Sequence, residues 1–336
     1  MQQVAAAAGV SLKTVSRVVN REAGVSAELI ARVEAEVQRL GYRHNLAASQ
    51  LRRGRRTASI GVLLQDLGND FCAELLRAVE DRARESGVVV ISASLDEEVD
   101  REHELVVGLV ERRIDGIILM PASHDHSYLA EEMQAGVEIV FVDRHPARLH
   151  VDSVATDNHG GARSAVRHLV AAGHRRIGFV GDDQSIDTAR ERLEGYRAGL
   201  AEAGLPVNRE LERPGYGSPT GSERAVMDLL ALPDPPTALF TARNDATVGA
   251  VRALRQLGQA HHTALVGFDD FATADLLEPA VTVIRQDARG QGLTAVDLLL
   301  ARLGGADDPV RRVVLGTTLV PRGSGELPGP GSVRAR

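Results

Sequence analysis

The sequence predicts an α/β protein built from two unlike parts: a small all-α head, then a long body of two doubly wound α/β halves. Three observations carry that prediction. Apolar residues recur at helical spacing through the first 44 of the 336 residues. From Ala58 onward, short β-rich runs alternate with helical stretches. The chain is also too long for one core of ordinary size, so several domains are expected.

In the head, Met1–Ala8 reads as a first helix with Val4 and Ala8 on one face, and Gly9 permits a tight turn. Ser11 is placed to cap a second helix, roughly Leu12–Asn20, that turns Val15, Val18 and Val19 inward. Ser26 caps a third, in which Ile30, Val33, Val37 and Leu40 follow 3-4-3 spacing until Gly41 ends it. Two helices joined by a tight turn and followed by a third make a helix-turn-helix unit over residues 1–44. The outer face of its second helix carries Leu12, Lys13, Thr14, Ser16, Arg17 and Asn20, all able to reach a groove or a phosphate. A helical cap with no nucleic-acid role is the alternative. Asn45 can then cap a short helix, with Ala48 and Leu51 on one side and Arg52, Arg53, Arg55 and Arg56 following. A basic linker over residues 45–57 is the other reading.

In the body, SIGVLL (59–64), VVVISAS (88–94), DGIILMP (115–121), EIVFVD (138–143), RRIGFVG (175–181), TALFTA (237–242), TALVGFD (263–269) and VTVI (281–284) read as buried parallel strands. Asp70–Gly87, Gly160–Gly173, Thr188–Gly204 and Asp245–Gly258 read as the helices between them. Ligands of such sheets bind beyond the carboxyl ends of the strands. Polar residues stand there: Asp143 closes EIVFVD, Asn244 and Asp245 follow TALFTA, Asp269 and Asp270 close TALVGFD, and Gln286 follows VTVI. Each lone Asp or Asn could equally be a helix cap, and for Asp157 and Asp245 the cap reading leads. The closing GSGELPGPGSVRAR, residues 323–336, is rich in Gly and Pro and reads as disordered.

Charge is unevenly spread. The net charge is −7, yet residues 1–56 hold ten Lys/Arg against four acids, leaving 29 basic and 42 acidic residues for the rest. A basic head on an acidic body suggests a polyanion partner, although a solvated Arg-rich surface would look the same. Cys72 is the single cysteine, which excludes an internal disulfide and a Cys-rich metal site. No apolar run approaches the ~20 residues that span a bilayer, and no signal peptide is visible, so a cytoplasmic protein without membrane contact is expected.

VAAAAGVSLKTVSRVVN, Val4 to Asn20, resembles the N-terminal signature of the LacI/GalR family of bacterial transcription regulators nearly residue for residue. The likeness continues through VSAELIARVEAEVQRLGY and NLAASQLRRGRR, then along the body to about Arg322. It implies a cytoplasmic, nucleoid-associated regulator, most simply a repressor. Such a protein would be a homodimer on a palindromic operator in double-stranded DNA, responding to a small effector, a sugar or a nucleobase. By position, Leu12, Lys13 and Arg17 would read base edges in the major groove; Ser11, Thr14, Ser16, Asn20 and Ser26 would bond phosphates. The segment with Asn45, Ala48, Leu51 and Arg52 would be a hinge helix in the minor groove, Leu51 wedging between central base pairs.

The resemblance also implies a periplasmic-binding-protein-like pair of subdomains over residues 58–322. The N-subdomain would comprise about 58–156 and 287–317, the C-subdomain 157–286 and 318–322. Family positions that touch effector match Phe71, Asp143, Arg192, Tyr216, Asn244, Asp269 and Gln286. An arginine facing carboxylates and amides suits vicinal hydroxyls, which favours a sugar; the same pair would also serve a purine. The chain departs from the family pattern where a threonine usually starts the first helix, where Gln3 replaces an Asp, and at Gln65, Asp70 and Cys72. No leucine heptads follow the body, so a dimer is expected rather than a coiled-coil tetramer.

Other motifs lead elsewhere. Gly290-Gln-Gly292-Leu-Thr-Ala295 fits a dinucleotide fingerprint but lies inside the helical run Asp287–Leu303 with no strand feeding it. His124-Asp125-His126 reads as a solvated loop rather than a metal site. No nucleophile elbow or paired His/Ser arrangement is evident, so neither an enzyme nor a cofactor is expected. A sugar-binding protein without regulation remains the alternative, with the basic head against it.

Overall fold

The computed structural model describes residues 1–19, 22–42, 57–146 and 149–330. Two compact units divide the chain, Met1–Thr57 and Ala58–Arg336.

The first unit carries α1 (Gln2–Ala7), α2 (Leu12–Val19) and α3 (Ala27–Arg39). Val4, Ala8, Val15, Val18 and Val33 close a small core between them. Gly9, at φ +60°, makes the turn from α1 to α2 in a conformation that costs a glycine little. Side-chain caps start α2 and α3: Thr14 N–H donates to Ser11 Oγ at 3.1 Å, and Leu29 N–H to Ser26 Oγ at 3.4 Å. No side chain caps α1.

In the second unit, the N-lobe is built from β1 (Ser59–Leu64), α4 (Asp70–Glu85), β2 (Val89–Ser94), α5 (Val99–Glu111), β3 (Gly116–Leu119), α6 (Leu129–Gln134), β4 (Glu138–Asp143) and β5 (Asp152–Thr156). The C-lobe follows with α7 (Asn158–Ala171), β6 (Ile177–Val180), α8 (Asp187–Glu202), β7 (Glu212–Arg213), α9 (Pro219–Leu230), β8 (Ala238–Thr241), α10 (Asn244–Gln256), β9 (Ala264–Phe268) and β10 (Thr282–Arg285). The chain then returns as α11 (Ala288–Leu303) and β11 (Arg312–Leu315) to the first sheet, and crosses again as β12 (Thr318–Val320). The sheet orders are β11-β5-β4-β3-β1-β2 and β12-β10-β9-β8-β6-β7. Every pairing is parallel except β10 with β12.

Each lobe buries both faces of its sheet, as continuous apolar strands demand. In the N-lobe, Ile60, Val62 and Val140 pack against α4 and α11, while Leu63, Ile117 and Phe141 pack against α5 and α6. The C-lobe repeats this with Phe179, Phe240 and Phe268 under α7 and α8, and Leu239 and Leu265 under α9 and α10.

Three expectations need correction. Strand β2 is not buried: it is a sheet edge, with Val89 63% exposed and Ile91 also open. The structure adds four strands (β5, β7, β11, β12) and three helices (α5, α6, α9) to those read from the sequence. Residues 323–330 are not disordered. Ser324 donates through Oγ to the Leu265 carbonyl at 2.6 Å, and Gly329 N–H to the Ala172 carbonyl at 2.8 Å. A Cβ on Gly329 would lie 2.4 Å from the Gly173 carbonyl carbon, so the glycine-rich composition here permits packing instead of preventing it.

Candidate functional site

Strands β1 and β4 of the N-lobe and β8 and β9 of the C-lobe end at one cleft. It encloses a cavity of about 40 Å³ lined by Phe71, Asp143, Arg192, Asn244, Asp269 and Gln286, among others. At ~10–15 Å³ for each water, that is room for only a few. The lobes meet across it. Asn69 and Asn244 exchange amide hydrogen bonds at 3.0 and 3.3 Å, and Ala272 N–H donates to Asp70 Oδ2 at 2.8 Å.

On the C-lobe side the polar groups satisfy one another. Arg192, on α8, lies buried with its guanidinium 4.0 Å over the Phe268 ring. Its Nε donates to Asn158 Oδ1 at 2.8 Å; its Nη1 donates to the Ala242 carbonyl at 2.8 Å and approaches Asp269 Oδ2 at 3.4 Å. Gln286 Nε2 donates to Asp269 Oδ1 at 2.6 Å, so both Asp269 oxygens have partners. Gln291 ties Gln286 to the N-lobe by donating to its Oε1 at 3.2 Å and to Thr156 Oγ1 at 2.7 Å.

The N-lobe side is incomplete. Asp143 closes β4 in a left-handed conformation, φ +65°, and Asp269 takes the matching one at +71°; each costs a non-glycine residue roughly 1–2 kcal/mol. Asp143 is buried, and that burial holds its carboxyl above the usual carboxylate range, although the Arg144 and Arg192 charges pull it down. Its Oδ1 has no hydrogen-bond partner. Beside it, Arg144 donates from Nη1 to Glu97 Oε2 at 2.8 Å and to the Pro121 carbonyl at 2.6 Å, and pairs through Nη2 with Glu97 Oε1. Arg144 Nε is buried and also unpartnered, with Asp143 Oδ2 at 3.8 Å. A buried donor and a buried acceptor on adjacent residues thus have no protein partner, and each is expensive to leave so.

Six of the seven residues expected at this site are therefore together. Tyr216 is not: it stands 38% exposed after β7, its N–H bonded to the Gly181 carbonyl, and it does not line the cavity. Asp157 caps α7 by accepting from Gly160 N–H at 2.7 Å, as expected. Asp245 does not cap; it lies within α10 and pairs with Arg243 at 2.9 Å. Sequence reasoning missed Arg144, Glu97, Gln65 and Asn69, all of which line the cavity. Only Arg144 carried a signal, as the residue after a strand-end acid. Cys72 lines the wall too, and burial pushes its thiol up to about 12, so it stays a neutral apolar group.

The head presents a second candidate surface. Leu12 and Lys13 are exposed on α2, Thr14, Ser16 and Arg17 half-buried, and Ser26 exposed at the start of α3. Arg17 leans back on its own domain, donating from Nη2 to the Ala23 carbonyl, with Glu22 3.9 Å from its Nε. Asn20, Asn45, Ala48, Leu51 and Arg52 lie outside the described residues.

The remaining motifs have structural explanations. Gly290 makes room for the Asp287 cap of α11, whose carboxylate a Cβ would meet at 2.2 Å, and Gly292 lets α11 approach the Leu75 carbonyl, 2.5 Å from such a Cβ. Among the described residues no cluster of three His, Cys, Asp or Glu could hold a metal ion, and no helix is long and apolar enough to cross a membrane.

Comparison with known proteins gives the same two-part division. Residues 1–45 match the bacterial regulatory proteins of the lacI family, and residues 166–325 a periplasmic binding protein-like domain. The ribose operon repressor of Escherichia coli (strain K12) is 32% identical over 96% of this chain and 99% of its own length. Among solved structures, the lac repressor dimer bound to operator and the anti-inducer ONPF aligns with a TM-score of 0.84 at 30% identity, over 96% of this chain and 97% of that one. The transcriptional regulator CelR in complex with cellobiose aligns at 0.72 and 30% identity, over 96% and 98%.

Proposed function

We infer the function from one premise: the chain belongs to the LacI family of bacterial regulatory proteins. It is a transcriptional repressor and not an enzyme. It acts as a homodimer on operator DNA, and a small effector held between the two lobes controls its grip. We place it in the cytoplasm, on the nucleoid.

At the DNA, Leu12, Lys13 and Arg17 read base edges in the major groove. A guanidinium has five donors, so Arg17 can keep its bond to the Ala23 carbonyl and still present a fork to guanine. Ser11, Thr14, Ser16, Asn20 and Ser26 hold phosphates, and Asn45, Ala48, Leu51 and Arg52 form the minor-groove hinge.

The effector is a small sugar, held by Phe71, Asp143, Arg192, Asn244, Asp269 and Gln286 with Arg144 added. The open Arg144 Nε and Asp143 Oδ1 carry this reading, because a hydroxyl satisfies both at once and nucleobase edges seldom pair donor and acceptor on one atom. A relative of high coverage is a ribose operon repressor. Effector that prefers one lobe arrangement shifts the dimer between DNA-gripping and releasing states, typically by ~1–3 kcal/mol of coupling.

The test is operator binding by the full-length dimer, with sites mapped by footprinting, titrated against pentoses, hexoses, cellobiose and nucleobases. One small sugar should change operator affinity several-fold or more. Arg17→Ala should weaken the operator and relax preference at a single base pair. Equal losses on random DNA would remove Arg17 as a base reader, and a response to nucleobases alone would replace the sugar.

A further inference from the structure

We propose that Glu97 is a positioning residue of the effector site: it holds the guanidinium of Arg144, which lines the cavity, in one orientation and so sets which hydroxyl pattern is accepted. This rests on reading the cavity between the lobes as the effector site.

The geometry is specific. Glu97 spends both carboxylate oxygens on Arg144, one on each Nη, while the Pro121 carbonyl takes a second Nη1 bond. The guanidinium is planar, so fixing both Nη atoms fixes the direction of Nε–H. That Nε is the buried donor without a protein acceptor, next to the equally open Asp143 Oδ1. An ether or ketone oxygen could only accept there, and an ammonium could only donate. A hydroxyl does both, and only if the Nε–H keeps its aim.

The turn that delivers Glu97 is the second observation. Asp96 and Glu97 are consecutive non-glycine residues in left-handed conformation, φ 55° and 60°. Such outliers persist only where surrounding bonds over-determine them, and they gather at ligand clamps. Here Leu95 N–H donates to the Leu64 carbonyl and Asp96 N–H to the Gln65 carbonyl, both at 2.8 Å, while Asp96 pairs with Arg101. Gln65 itself lines the cavity. Glycine at either position would relax the backbone; the acid at 97 instead grips Arg144 through its side chain.

The experiment uses the full-length protein and its variants Glu97→Gln, Arg144→Lys and the double variant. Calorimetry is run with D-ribose and its singly deoxygenated analogues. Glu97→Gln is expected to weaken D-ribose tenfold or more. It should also erase discrimination against the one analogue lacking the hydroxyl at Arg144 while leaving the other ratios intact. On the Arg144→Lys background it should add little. Unfolding temperature should fall by several degrees, because Arg144 is buried and loses its paired carboxylate, while sugar-free operator affinity should hold. Additive losses in the double variant, or unchanged affinity in Glu97→Gln, overturn the proposal. Should no small sugar bind the wild type, the effector reading falls by itself. Glu97 is then judged on the ligand-free protein, by nitrogen-15 spectra of its arginines. The Arg144 Nε–H should exchange with solvent at least tenfold faster in Glu97→Gln, and equal rates overturn it.

Discussion

The two lobes of the body are the same winding written twice, and they end differently. Counting from β2 in one sheet and β7 in the other, the orders are identical, so β4 corresponds to β9 and Asp143 to Asp269. Both aspartates are buried in left-handed backbone at a strand end. Asp269 has two donors, Gln286 and Arg192. Asp143 has an open oxygen and a carboxyl that burial holds above its ordinary range. The C-lobe thus presents a finished polar wall. The N-lobe wall leaves Asp143 Oδ1 and Arg144 Nε without a protein partner.

The largest effect that comparison predicts is at Asp269. Asp269→Asn strips the carboxylate from a buried, ion-paired Arg192 and sets an amide N–H against a donor. Breaking a buried pair costs ~3–5 kcal/mol; the bonds from Arg192 to Asn158 and Ala242 remain, so the lower end is expected. Thermal unfolding should show a drop of several degrees, and effector affinity should fall ~100-fold. An unchanged unfolding temperature would mean that the finished wall is not holding the C-lobe together.

Asp143→Asn should do the opposite to stability. A carboxyl whose folded value is raised keeps its proton where the unfolded chain has lost it. Its contribution to stability is therefore full below the ordinary carboxylate range and is lost as pH rises through the raised value. Removing the charge should raise stability at neutral pH, with the advantage fading as pH falls to the ordinary carboxylate range. Effector affinity should drop about tenfold all the same. Unfolding curves for variant and wild type that run parallel from pH 3 to 8 would show that Asp143 bears no such penalty.

How much of this was legible in the sequence follows from the same contrast. A strand end marked by an acid is visible, so Asp143, Asn244, Asp269 and Gln286 were found, and Phe71 and Arg192 came with the family likeness. Glu97 and Arg144 were not found, because the partnership is made by folding a turn after β2 against one after β4, and no local pattern records it. Tyr216 came with the family likeness too, but the turn after β7 leaves it outside the cavity. Edge strand β2 has the same β-branched content as a buried strand, so composition alone could not distinguish them. The tail misled because glycine and proline mark both disordered chain and close backbone packing, and at Gly329 the packing decides.

The smallest effect is the sharpest test of equivalence. Where the chain leaves β5 and β10 it starts a helix of the opposite lobe in the same way. Asp157 accepts from Gly160 N–H at 2.7 Å, and Asp287 from Gly290 N–H at 2.8 Å. In each case the glycine three residues on leaves no room for a Cβ beside the carboxylate. Losing such a cap costs ~1 kcal/mol. Asp157→Ala and Asp287→Ala should therefore lower stability by the same amount, within a few tenths of a kcal/mol, by denaturant unfolding monitored through helix content. Both sit at crossings, so both should also leave the difference between Asp143 and Asp269 untouched. If Asp287→Ala alone altered effector affinity, the asymmetry would begin at the crossing, where Gln286 and Gln291 already join the lobes, and not at the two strand ends.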